Sequence, residues 1–196
     1  VSNGSSSQTA MNASSELFLF YSDASSVRAT GVKALLTTPV NDKRFQQELQ
    51  ALFKQERLAG VDRPIVVGAI PFDLDQPCHL IAPQWSSTQS TPTFDVTSFN
   101  DESFVNFAQS YRYMPEYEQF VAGVNSALAQ FKTPQLEKVV LSRVVDIDFD
   151  AALDVDRLMG NIMAQNPNAF HFRVPLEDGV LLGASPELLL RKDGDK

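Results

Sequence analysis

The chain has 196 residues, of which 43% are hydrophobic, 10% aromatic and 20% charged. That is the mixture of a globular protein able to bury a core, and it excludes disordered, fibrous and disulfide-rich classes. A formal net charge of −8 argues against a general binder of nucleic-acid backbones, whose affinity rests on clustered Lys and Arg, but leaves room for a small anion in a locally basic pocket.

Residues 1–15 are rich in Ser, Asn and Thr and lack the basic start and apolar centre of a secretory signal, so they read as a disordered tail before an ordered region from residue 16. No apolar run approaches the roughly 20 residues that span a bilayer, and the expected location is cytoplasmic. The spacing then predicts a short strand over Leu17–Tyr21 and a second over Val27–Thr37, paired as an edge or hairpin. From Asn41 the period becomes helical. Phe45, Leu49, Leu52 and Phe53 fall at i, i+4, i+7 and i+8, with Asn41 or Asp42 to cap and Gly60 to stop, and the helix should lie on a sheet. Ile65–Ile70 is a β-branched run of the kind that forms a buried strand, closed by Pro71, and Cys78–Ala82 continues the sheet.

Gln84–Ser98, rich in Ser, Thr, Gln and Pro, is expected to be a mobile loop. Pro115 opens a helix whose stripe is Tyr117, Phe120, Val121, Val124, Leu128 and Phe131, ending near Pro134. Lys138–Phe149 reads as one long strand. Asp154 caps a third helix with Val155, Leu158, Met159, Ile162 and Met163 on one face, stopped by Asn166–Pro167. Strands Ala169–Pro175 and Val180–Ala184 meet at the hairpin signal Glu177–Asp178–Gly179. A last strand, Leu188–Lys192, runs into a turn at Asp193–Gly194 with no returning strand, the pattern of a fragment of a longer polypeptide.

Few residues carry chemistry by pattern alone. Cys78, the lone cysteine, cannot form an internal disulfide and reads as a small buried hydrophobe. His79 beside it points to the opposite face of a strand, which disfavours a shared metal ion. In Phe170–His171–Phe172–Arg173 alternation puts the phenylalanines on one face and His171 with Arg173 on the other, and His171 reads as a strand-surface or supporting histidine. Lys138 at a strand start and Arg143 within the strand most simply point to water. Glu187 stands apart: between Gly183–Ala184–Ser185–Pro186 and Leu188–Leu189–Leu190 burial is expected, and a buried carboxyl must be paired or protonated.

The motif Glu137–Lys138–Val139–Val140–Leu141–Ser142–Arg143, followed by Leu181–Leu182–Gly183–Ala184–Ser185–Pro186–Glu187–Leu188–Leu189–Leu190, resembles the central signature of the chorismate-utilising enzymes. Val67–Gly68–Ala69–Ile70–Pro71–Phe72–Asp73 and Gln76–Pro77 are similar to the siderophore-type isochorismate synthases in particular. The likeness runs from about Leu17 to Lys196, half the family's usual length, so residues 16–196 are expected to be the N-terminal half of a chorismate-binding domain.

The resemblance implies an α+β fold of the aminodeoxychorismate synthase kind, with large, mostly antiparallel sheets flanked by helices and present here in part. It implies isochorismate synthesis for catechol siderophores: Lys138 as the base that activates water, and Glu187 as the acid that protonates the departing C4 hydroxyl of chorismate. Water needs a base, and a lysine serves only where its surroundings let it shed a proton. The resemblance further implies Mg2+, with its ligands in the half not covered, so no metal ligand is expected here and the chain alone should be inactive and prone to self-association. Chorismate is the expected small-molecule partner, with neither nucleic acid nor membrane. The alternatives are a salicylate synthase, which eliminates pyruvate after the same first step, and a non-catalytic fragment acting as a binding module; a module freed from catalysis has no need to keep both Lys138 and Glu187.

Overall fold

A computed structural model describes residues 18–90, 108–134 and 136–192. These fall into two compact units, one from residues 1–99 and 155–196 and the other from residues 100–154. The expected tail over residues 1–15, the stretch 91–98 and the turn at Asp193–Gly194 lie outside the described residues.

The first unit is built on a six-stranded antiparallel sheet. Its strands are β1 (Phe18–Tyr21), β2 (Ser25–Leu36), β3 (Val67–Ala69), β4 (His79–Ser90), β7 (Phe170–Leu176) and β8 (Gly179–Ser185), in the order β3-β4-β2-β1-β7-β8. β1 and β2 form the expected hairpin pair, but in the middle of the sheet rather than at an edge. Sequence alternation divides the sheet cleanly. Phe18, Ala29, Val67, Ile81 and Val174 form one core cluster, supported by Phe20, Val27 and Phe172. Val67 and Val174 stand on strands far apart in the sheet order, so the sheet curls around this core.

The opposite face of β1 and β7 carries Leu19, Tyr21, His171 and Arg173, paired across the ladder as Leu19↔Arg173 and Tyr21↔His171. It is covered by α3 (Val155–Gln165), whose Met159 and Met163 are buried against Leu19, with Tyr21 and Leu182 packed alongside. A methionine pair at i and i+4 presents one flexible apolar face to the sheet. Asn166, which donates from both its backbone N–H and Nδ2 to Ile162 O, stops the helix where the sequence predicts.

α1 (Phe45–Leu58) places Phe45, Leu49, Leu52 and Phe53 on its covered side, as their spacing requires. Buried Glu56 in its last turn accepts a 2.9 Å bond from Lys33 Nζ on β2 and so ties helix to sheet. Asp42 receives the backbone N–H of Arg44 at 2.9 Å, but no side chain caps the helix N-terminus itself. Gly60 ends the helix at φ +90°, where a Cβ would be strained.

One expected strand is shorter than its pattern, and part of an expected loop is strand. Ile65–Ile70 shortens to the three-residue edge strand β3: among the described residues β4 alone pairs with it and only over Val67–Ala69, so Val67 is buried while Ile70, past the end of the ladder, is exposed. Gln84–Ser90 is strand rather than loop. β4 continues to Ser90 because β2 is long enough to pair with it throughout, from Leu36↔Leu80 to Ser25↔Ser90, and Thr and Trp favour such a ladder. Pro83, which cannot donate to the ladder, stands beside the register shift between Val32 and Ala34, where a strand tolerates it.

The second unit pairs β5 (Ala108–Met114) with β6 (Val144–Phe149) and carries α2 (Tyr117–Gln130). β5 was not anticipated, although the alternation in Tyr111–Arg112–Tyr113 signals it. Arg112 pairs with Asp146 across the ladder at 2.7 Å. Among the described residues no helix is long and apolar enough to cross a membrane.

Candidate active site

Lys138 stands in a stretch, residues 136–143, without regular secondary structure, and it is exposed. The long strand expected over Lys138–Phe149 begins only at Val144, where the pairing with Met114 starts. The β5 partner ends at Met114 and the chain turns into α2 through Pro115, so among the described residues Lys138–Arg143 has no ladder to join.

Arg143 does not point freely to water as its pattern implied. Its Nε donates to Pro115 O at 3.1 Å, and its guanidinium lies 4.3 Å from the ring centre of Tyr113 and 5.9 Å from that of Phe120. The planar guanidinium so combines contact with two aromatic rings and an in-plane Nε donor, a combination that a lysine ammonium cannot reproduce.

Glu187 follows β8 in the first unit. The hairpin that precedes it is as predicted: β7 and β8 close with Leu176↔Gly179, leaving Glu177–Asp178 as a two-residue loop. Gly183 faces Phe172, and a Cβ there would come to 2.2 Å from the ring, so a side chain at this point would have to displace Phe172. Ser185 then clasps the turn, its Oγ accepting from Glu187 N–H at 3.2 Å and donating to Glu187 O at 2.9 Å. The clasp fixes the backbone that carries the carboxyl.

The burial expected around Glu187 is not found. Glu187 is exposed, and Leu188–Lys192 forms no strand; Leu189 is 99% and Leu190 81% exposed. A strand needs a neighbour, and among the described residues this stretch has none. Lys138 belongs to the second unit and Glu187 to the first.

A cavity of about 500 Å3 in the first unit is lined by Ser22–Ser25, Phe20, Phe170, Leu188, Leu190 and Arg191 among others, and neither Lys138 nor Glu187 lines it. His171 is corrected from strand surface to interior. It is 1% exposed under α3, its ring 6.0 Å from that of Tyr21, and among the described residues neither ring nitrogen has a hydrogen-bond partner. Arg173 on the same face is 2% exposed and pairs with Asp156. The alternation placed both residues on one face, but only the paired methionines of α3 could have told that this face is covered.

Cys78 is buried as expected, its thiol donating to Leu36 O and Thr38 O at 3.4 and 3.1 Å. Among the described residues no three His, Cys, Asp or Glu side chains gather as a metal site would require. By themselves these residues do not make the carboxylate-rich site that Mg2+ takes.

A family model described as "Chorismate binding enzyme" matches residues 73–196, the stretch that carries both the Lys138 and the Glu187 motifs. The chain belongs to the chorismate binding enzyme family. Within it, the chain is similar to isochorismate synthase EntC of Escherichia coli K12, at 42% identity over 96% of this chain and 50% of that protein. It is also similar to the vibriobactin-specific isochorismate synthase of Vibrio cholerae, at 28% identity over 91% of this chain and 44% of that protein.

Among solved structures, a Bacillus anthracis protein named as a 2,3-dihydroxybenzoate-specific isochorismate synthase, DhbC, superposes with a TM-score of 0.73 at 28% identity, covering 92% of this chain and 47% of that one. The α+β fold with its curled antiparallel sheet is therefore that of the chorismate-utilising enzymes, and the resemblance to the siderophore-type isochorismate synthases holds. The chain spans about half the length of the curated relatives it matches.

Proposed function

We propose that this chain is the N-terminal half of the chorismate-binding domain of an isochorismate synthase, acting in the cytoplasm on chorismate for catechol siderophore synthesis. The observation that carries this reading is the joint presence of Lys138 and Glu187 in their family motifs in a chain 42% identical over 96% of its length to an enzyme of that name. Lys138 takes the proton of a water that attacks C2, and Glu187 gives a proton to the C4 hydroxyl as it departs, so the displacement is redox-neutral and each proton has a named carrier. Mg2+, whose ligands this reading assigns to the remaining half, would neutralise a substrate carboxylate. Carboxylate-binding cations are assigned to that half too, in keeping with a net charge of −8 here.

The test is an extended polypeptide in which this chain is continued by the second half of the Escherichia coli relative, given chorismate and Mg2+ and assayed by chromatography. Isochorismate is the expected product, with no turnover by the 196-residue chain alone. A folded, Mg2+-binding polypeptide that leaves chorismate untouched would overturn the catalytic reading in favour of a binding module.

A further inference from the structure

We propose that Arg143 is a positioning residue for Lys138, holding the irregular stretch that carries the lysine against the start of α2. The inference rests on the reading of Lys138 as the base and deepens it. Its geometry lies wholly within the second unit. α2 has 14 residues and so is about 21 Å long. The chain leaves it at Phe131, yet Arg143 docks at its other end, on Pro115 O and over the ring of Phe120. The polypeptide must therefore run back along the helix.

The steps from residue 131 to residue 143 could span about 40 Å if extended, so the return has slack. Slack without a ladder leaves Lys138 unfixed unless its ends are held. Val144 joins β6, and directly before it Arg143 adds a hydrogen bond and two aromatic contacts that orient the backbone entering the stretch. Tyr113 supplies the nearer face from the β5 strand whose Met114 pairs with Val144.

The anchor depends on shape as much as on charge. A lysine here would keep the positive charge but lose both the Nε donor and the flat face that stacks on Tyr113. A base that drifts by about an ångström can lose on the order of 100-fold in rate without any loss of substrate binding.

Two measurements test this. In the 196-residue chain, backbone order parameters from 15N relaxation at residues 139–142 are expected to be near those of rigid backbone, about 0.85, and to fall below about 0.6 in both Arg143→Ala and Arg143→Lys, while α2 and β6 keep theirs. In the extended polypeptide both variants are expected to lower kcat by roughly 100-fold with KM for chorismate and the melting temperature unchanged. Unchanged order parameters, a kcat restored by Arg143→Lys, or a loss of kcat matched by a loss of melting temperature would each overturn the proposal. If Lys138→Ala leaves turnover intact, the role of Lys138 as base fails instead, and the order parameters still decide whether Arg143 anchors the stretch. If a variant does not fold in the extended polypeptide, the same parameters in the shorter chain decide.

Discussion

Arg173 on β7, 2% exposed, is ion-paired with Asp156 on α3, whose side chain is 65% exposed. The pair joins the helix to the sheet with its cation inside and its anion at the rim. A buried guanidinium is expensive to desolvate, and removing a partner from it is worse than never having had the pair. Asp156→Ala is expected to destabilise the first unit by about 2 kcal/mol, with Asp156→Asn losing less because an amide oxygen still accepts. Urea unfolding followed by tryptophan fluorescence measures both. Equal stability of Asp156→Ala and the parent would mean that the Asp156 pair adds nothing to the docking of the helix.

Burial pushes the Cys78 thiol above its ordinary range, and the thiol also donates to two backbone carbonyls. Since the thiolate is the reactive form, native Cys78 should react with a disulfide reagent at pH 8 far more slowly than the urea-unfolded chain does. Equal rates would show that the strand start at His79 opens freely.

The side-chain hydrogen bond from Arg44 lowers the Asp42 carboxyl from 3.8 to about 2, with the backbone N–H of Arg44 adding to it. A depressed folded-state value means that the contribution to stability is present above the ordinary carboxylate range and is lost as pH falls through about 2. An NMR titration of the Asp42 carboxyl should therefore have its midpoint near 2 in the parent. In Arg44→Ala it should return toward 3.8. A parent midpoint already at 3.8 would show that the fork of Arg44 on Asp42 does not persist in solution.

Much of the fold is legible because local period and local chemistry agree. Phe45, Leu49, Leu52 and Phe53 mark the covered face of α1, and Glu177–Asp178–Gly179 marks the β7–β8 turn, since each depends on residues close in sequence. The misreadings arise where a distant partner decides. Gln84–Ser90 is polar enough for a loop but is strand because β2 lies beside it. Lys138–Arg143 and Leu188–Lys192 are apolar enough for strands, but among the described residues neither has a neighbour. The same holds at the candidate site: the motif residues can be read from the sequence, but the burial of Glu187 could not be, because burial is a property of what packs against it.

Lys138 and Glu187 should have separable roles in the extended polypeptide. Lys138→Ala removes the base, and because general acid–base catalysis contributes roughly 100 to 10,000-fold, isochorismate formation should fall by that range while Mg2+ still binds. Glu187→Gln keeps size and hydrogen-bonding capacity but has no proton to give the departing C4 hydroxyl, so chorismate should bind with little change while turnover is lost. The two losses should not multiply, since a base and an acid that serve one displacement act as a unit. The double variant is therefore expected to be about as slow as the slower single one. Rates measured at saturating chorismate, with binding followed separately by calorimetry, distinguish the cases. A double variant slower by the full product of the two losses would mean that Lys138 and Glu187 act in different steps, and a Glu187→Gln protein that turns over normally would place the acid elsewhere.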